Sequence, residues 1–185
     1  MNRKITLVIL MLPILLCGII QALHATPPTS KTTSDSAIQN EILIYINQYR
    51  QQHGLRPLAM NNKMVNEAKK HSMDMASHKI PFGHSYFEAR INRLHSQIKD
   101  SGAGAENVAY NYKNARDVVK NWLLSPGHKR NIDGNYDLTG IGIARDKRGK
   151  IYFTQIFLNT HGNTIYASRK PFSSLLRGAP WTRRG

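Results

Sequence analysis

Two short segments late in the chain, LTGIGIAR (138–145) and KIYFTQIFL (150–158), are rich in β-branched and aromatic residues and are joined through the glycine-containing stretch DKRGK. That pattern predicts an antiparallel hairpin. Everything before it follows a different period. Ile38, Ile42, Ile46 and Tyr49 recur at helical spacing, with Ser34 or Ser36 able to cap the start and Gly54 to stop it. A second helix is predicted from Asn61 or Asn62, with Met64, Ala68, His71 and Met75 as its buried stripe and Pro81 and Gly83 as its end. Phe87, Ile91 and Leu94 mark a third. Ala115, Val118, Val119, Trp122 and Leu123 mark a fourth, whose tryptophan is expected against the hairpin. Helices first and a hairpin late is the order of an α+β layered domain with an antiparallel sheet, not of a βαβ wind. The glycines of TGIGIA read as close-packing positions in a strand, since the third glycine and the following helix of a phosphate loop are missing.

The N-terminus sets the compartment. A basic start, MNRK, precedes the apolar run ITLVILMLPILLCGIIQAL and then the polar LHATPPTS. This is the order of a secretory signal covering residues 1–25, with Ala25 as the last residue before cleavage. An uncleaved membrane anchor is the alternative, because the run is near the lower length for a span. Lipid attachment at Cys17 is disfavoured by the large Leu16 before it. Each reading places the folded part outside the cytoplasm, secreted or periplasmic. Cys17 is the single cysteine, so the chain beyond the signal can form no disulfide and offers no thiolate nucleophile or ligand. Residues 26–36, TPPTSKTTSDS, have a linker composition; residues 37–160 are the expected domain, and 161–185 a basic tail.

Charge bounds the partners. The chain has 26 Lys+Arg against 11 Asp+Glu; without Arg3 and Lys4 the balance is 24 against 11, a net +13. Such a surface favours anionic partners, an envelope polymer or a lipid headgroup. No nucleic-acid motif accompanies the charge, so specific nucleic-acid binding is not expected, nor is an oligomer.

Three residues of acid–base and metal chemistry sit beside glycines or small residues. His84 lies in FGHSYF, Glu106 in GAGAENVAY and His128 in SPGHKRNI. Each has a structural reading as well: a core-edge imidazole bonded to backbone, a helix N-terminal acid, and a cation at a helix C-terminus. Two histidines and a glutamate can hold a divalent metal with an open position, although no close H-x-x-x-H pair is present. His71 and His78 are seven apart, expected on one helix face, with Asp74 between them as a surface salt-bridge residue.

The fragments YINQYRQQHGLRPL, MVNEAKKHSMDMA, FGHS, GAENVA, VVKNWLLSPGHKRNI, TGIGIA and YFTQIF, in this order, resemble the CAP superfamily, also called the SCP-like extracellular domain, in its bacterial branch. The resemblance implies a three-layer α-β-α sandwich. It also implies a cleft faced by a His, a Glu, a second acidic residue and a second His, which fall on His84, Glu106, Ser125 and His128. Ser125 departs from the pattern and carries no charge. Relatives are known that bind zinc through paired histidines, or sterols and lipids, and proteolysis has been claimed for a few. The implied position of His128 is past a tight turn that swings it toward His84.

Three functions follow as expectations. One is a binding module whose ligand-binding residues are His84, Glu106, Ser125 and His128, with His84 and His128 as ligands to a divalent cation such as zinc, or with a small polar ligand instead. The second is a hydrolase using a metal-activated water or Glu106 as general base, with His84, Glu106 and His128 as the catalytic candidates. The third is an interaction protein acting through its basic face. The absence of G-x-S-x-G and H-E-x-x-H removes the commonest hydrolase routes.

Overall fold

The computed structural model describes residues 34–160. The signal, nearly all of the linker and the basic tail lie outside the described residues. Within them the order is α1 (Asp35–Gln52), β1 (Ala59–Met60), α2 (Asn62–Ala76), α3 (Phe87–Gln97), β2 (Gly104–Tyr110), α4 (Ala115–Leu124), α5 (Pro126–Ile132), β3 (Leu138–Arg145) and β4 (Ile151–Leu158). None of these helices is long and apolar enough to cross a membrane.

The helices start where side chains can take up free backbone amides. Ser34 accepts from Ala37 N, so α1 begins two residues inside the segment assigned to the linker. Asn61 caps α2 by accepting from Lys63 N and Met64 N, and Asn114 caps α4 by accepting from Asp117 N. α2 ends at Ala76, earlier than expected: His78 turns left-handed with φ 59, which stops the helix before Pro81 is reached. His71 and His78 therefore do not share a helix.

The four strands are ordered β1-β3-β4-β2. The β3–β4 hairpin is antiparallel as expected, and β2 adds antiparallel to β4, pairing Glu106 with Ile156. Two strands were not anticipated. β1 is two residues long and pairs parallel to β3, which makes the sheet mixed at that edge. β2 reads poorly in sequence because GAENVAY shows no apolar alternation; both of its faces are buried, polar residues included.

The sheet is the middle layer of a three-layer α-β-α sandwich. On one face α1, α4 and α5 enclose Ala105, Ala109, Ile141, Ile143, Phe153 and Phe157, with Trp122 2% exposed in the same core. On the other, α2 and α3 pack Met64, Ala68, Ile91 and Leu94 on Ile156 and Leu158. The approach of α2 to the sheet is set by two glycines of β3. A Cβ on Gly140 would stand 2.2 Å from the Met64 carbonyl carbon, and one on Gly142 would stand 2.1 Å from both Ala68 C and Lys69 N. These obstacles are backbone, which no rotamer change can move aside.

Gly142→Ala is accordingly expected to lower stability by roughly 1–3 kcal/mol through overpacking. Gly127→Ala, in α5 with nothing near its added methyl, should be neutral or stabilising. Urea midpoints of the two variants measure the difference; equal midpoints would mean that α2 does not rest on the β3 backbone.

Candidate functional site

The centre of the site is a carboxylate on an edge strand. Glu106 is the third residue of β2, and its side chain is 1% exposed. It is not at a helix N-terminus. Taking an acid out of water requires compensation, and α3 supplies it. Arg90 Nε donates to Glu106 Oε2 at 2.9 Å and Arg90 Nη2 to Oε1 at 2.8 Å, a two-point pairing that matches the planar guanidinium to a carboxylate. Arg90 Nη1 donates to Ser85 O at 2.7 Å, so the same side chain ties down the loop before α3.

That loop carries His84. Its Nδ1 lies 2.9 Å from Glu106 Oε1. A carboxylate paired to a guanidinium can only accept, so Nδ1 bears the hydrogen and donates it. The Nε2 lone pair is thereby left free on a side chain that is 48% exposed. The loop is bent to make this presentation: Gly83 has φ +141 and Tyr86 adopts a left-handed φ of 62 just before α3.

A second imidazole reaches the same carboxylate from below. His71 of α2 is fully buried; its Nε2 donates to Gly83 O at 2.9 Å and lies 3.7 Å from Glu106 Oε1. Its Nδ1 is buried with no hydrogen-bond partner. Burial holds this imidazole below the ordinary histidine pKa, overcoming the opposing pull of Glu106.

His128 is not in a turn. Pro126 occupies the first position of α5, where its missing N–H costs nothing, and PGHKRNI forms the helix. α5 lies along the edge strand: Asn107 Nδ2 donates to His128 O at 3.2 Å, and Asn131 Nδ2 donates to Glu106 O at 3.1 Å and to Asn107 Oδ1 at 2.9 Å. The His128 ring is half-buried, 6.5 Å from that of Trp122, and its Nδ1 has no hydrogen-bond partner. Burial depresses its pKa first and repulsion from His84 second, against a bond to the Val108 backbone.

Of the expected site residues, the fold places His84 against Glu106 and within electrostatic reach of His128. Ser125 joins α4 to α5, and among the described residues its side chain makes no capping hydrogen bond and none to Glu106, whose oxygens are met by Arg90 and His84. Arg90 and His71 were missed as partners of Glu106. Both carried a signal. Arg90 falls on the Phe87–Ile91–Leu94 stripe, where a charge is out of place, and His71 falls on the Met64–Ala68–Met75 stripe.

Arg90→Leu should destabilise the domain by roughly 3–5 kcal/mol, because it leaves a buried carboxylate without its counter-charge. Chemical denaturation measures it, and a loss below about 1 kcal/mol, the range of exposed pairs, would contradict the pairing. Stability should also depend on pH. His71 and His128 bind protons less readily when folded, so the unfolded chain takes them up first as pH falls. Their contribution is complete above about 6.5 and is lost as pH drops from there through the lowered folded values. The urea midpoint is expected to be lower at pH 5.5 than at pH 7.5; equal midpoints would show that neither imidazole is held neutral.

Residues 43–157 match the family model described as CAP, the cysteine-rich secretory protein family. The chain is 33% identical over 135 residues to the uncharacterized protein YkwD of Bacillus subtilis (strain 168), covering 70% of this chain and 50% of that protein. It is 32% identical over 130 residues to the uncharacterized membrane protein YlbC of the same strain, covering 69% of this chain and 35% of that one. The chain thus spans half or less of these relatives. Among solved structures, an outer surface protein from Borrelia burgdorferi superposes with a TM-score of 0.61 at 19% identity, covering 69% of this chain and 96% of its own. An extracellular protein containing a SCP domain from Bacillus anthracis str. Ames gives 0.56 at 23% identity, covering 67% of this chain and 41% of its own. The structural likenesses bear on the fold alone; the family model spans most of the chain, and on that match the chain belongs to the CAP family.

Proposed function

We propose that this CAP domain is an extracellular binding module whose point of contact is the Nε2 lone pair of His84. His128 is the second donor, and a divalent cation of the zinc class is the occupant. The observation that carries this reading is the 2.9 Å contact of Glu106 Oε1 with His84 Nδ1. A carboxylate behind an imidazole fixes its tautomer and raises the basicity of the outward nitrogen, as in carboxylate–histidine–metal arrangements.

The donor set defines what kind of site this is. Among the described residues no group of three or more His, Cys, Asp and Glu is arranged to hold a metal ion. A closed protein site does not fit, nor does a catalytic zinc with three protein ligands. Two neutral imidazoles with the remaining positions open fit an exchangeable cation that can bridge to an anionic partner. The hydrolase reading needs a carboxylate free to accept a proton. Both Glu106 oxygens are engaged by Arg90 and His84 in a place closed to water, which favours binding over catalysis. Secretion and a monomeric state complete the proposal.

Calorimetric titration with zinc at pH 7.5 tests it. His84→Ala and His128→Ala should each abolish binding with the fold intact, and Ser125→Glu should strengthen it by adding an anionic group. Wild-type affinity should be weaker at pH 5 than at pH 7.5, since protonated imidazole cannot ligate. Unchanged affinity in both histidine variants would remove the shared site.

A further inference from the structure

The β3–β4 loop builds a second surface beside the His84 site. A groove of about 800 Å³ runs between the end of α2 and this loop, lined by Met73, His78, Lys147, Arg148, Lys150 and Tyr152 among others. Its charges are unevenly spent. Arg145 is paired with Asp35 at 2.8 Å. Asp146, the only acid lining the groove, is turned into its own loop, where its carboxylate accepts from Arg148 N at 2.8 Å and Lys150 N at 2.9 Å. Lys147, Arg148 and Lys150 are exposed, and among the described residues none of them is in an ion pair. The five-residue loop carries three cations against the single acid Asp146, a net charge of +2, and attracts anions.

An aromatic row leaves the same groove. Tyr152 lines it and stacks on Tyr110 with ring centroids 5.7 Å apart, and Tyr110 meets Phe82 at 4.8 Å. Tyr110 and Phe82 are 45% and 48% exposed. Large aromatic surface left open on a folded domain marks a place where something binds. Cations alone would suit any polyanion, but a concave groove continued by aromatic rings suits a linear polymer with both anionic groups and apolar ring faces. Single-stranded nucleic acid has those features too. Its bases would stack on the same rings, so retention on oligo(dT) is the comparison that separates the two. A membrane surface is flat and does not enter a groove.

We infer that the β3–β4 loop, with Tyr110 and Phe82, is a binding site for an anionic glycan, a chain of sugar units bearing phosphate or carboxylate groups. Lys147, Arg148 and Lys150 take the anionic groups, and the exposed faces of Tyr110 and Phe82 take the C–H faces of the sugars.

The test uses the full chain with five immobilised probes: a polyuronate, a sugar-bearing polyol-phosphate polymer, inorganic polyphosphate, oligo(dT) and anionic phospholipid vesicles. The first two arms distinguish carboxylate from phosphate as the anionic source. Wild type should be retained on at least one of these glycans more strongly than on oligo(dT) or vesicles. Lys147→Glu/Arg148→Glu/Lys150→Glu should weaken that retention tenfold or more, while its melting temperature and its zinc titration stay at wild-type values. Tyr110→Ala should weaken glycan retention severalfold and leave polyphosphate retention unchanged, which separates sugar contact from bare charge. Wild-type retention of the triple variant would overturn the site. So would equal loss of glycan and polyphosphate in Tyr110→Ala, or stronger binding to oligo(dT) or vesicles than to either glycan.

Discussion

The carboxylate of Glu106 is the group on which the rest of the site depends. It stands on an edge strand, in a place closed to water, and receives Arg90 from α3, His84 from the preceding loop and His71 from α2. Its own backbone oxygen receives Asn131 from α5. Four segments are therefore positioned by one residue. A buried ion pair is weak evidence for net stability, because desolvation offsets much of the attraction. What it gives here is a single arrangement: with Arg90 displaced, the Glu106 charge would be left unpaired in the interior. The left-handed backbone at Tyr86 is held against its conformational preference by the same network, through Arg90 and Ser85 O.

The layers around this site cover most of both sheet faces, and several buried polar groups there are satisfied by internal hydrogen bonds. Ser72 of α2 donates to Gly142 O at 3.0 Å, its hydroxyl pairs with that of Thr154 at 2.8 Å, and Thr139 donates to Ile156 O at 2.8 Å. The first pair exists because Gly142 lets α2 lie against β3. Arg50 does comparable work on the opposite face, donating from α1 to the carbonyls of Arg56, Gly134 and Tyr136 and so fixing the chain between α5 and β3. A domain without disulfides thus fastens its loops with buried guanidinium groups.

The two proposed binding surfaces share one architectural origin. β2 carries Glu106 near its start and Tyr110 at its end, so the strand that orients His84 also begins the aromatic row toward the β3–β4 loop. Phe82 and His84 belong to one short loop, which links the imidazole site to that row through the Phe82–Tyr110 contact. A cation at His84 and an anionic polymer along the row are chemically compatible neighbours.

The periodicity of the sequence was enough to place α1, α2, α3, α4 and the β3–β4 hairpin, because in each of them one face is apolar and hydrophobic burial alone decides the conformation. It also bounded the chemistry, since the chain's single cysteine, Cys17, lies in the apolar N-terminal run and no thiol follows it. Periodicity failed at β2 and α5. GAENVAY is a strand through pairing with β4, and its polar residues are satisfied by α5 and α3, partners remote in sequence. PGHKRNI is a helix because Pro126 can open one, although a Pro-Gly pair reads locally as a turn. Residue chemistry singled out His84, Glu106 and His128, and the family resemblance implied one cleft for them with Ser125; their hydrogen-bond partners came only with the tertiary structure. Which nitrogen of His84 is free, and whether Glu106 can act as a base, are set by Arg90 and His71. Both sit on helical stripes whose spacing shows burial, but a stripe carries no information about the charge awaiting it on the other side of the core.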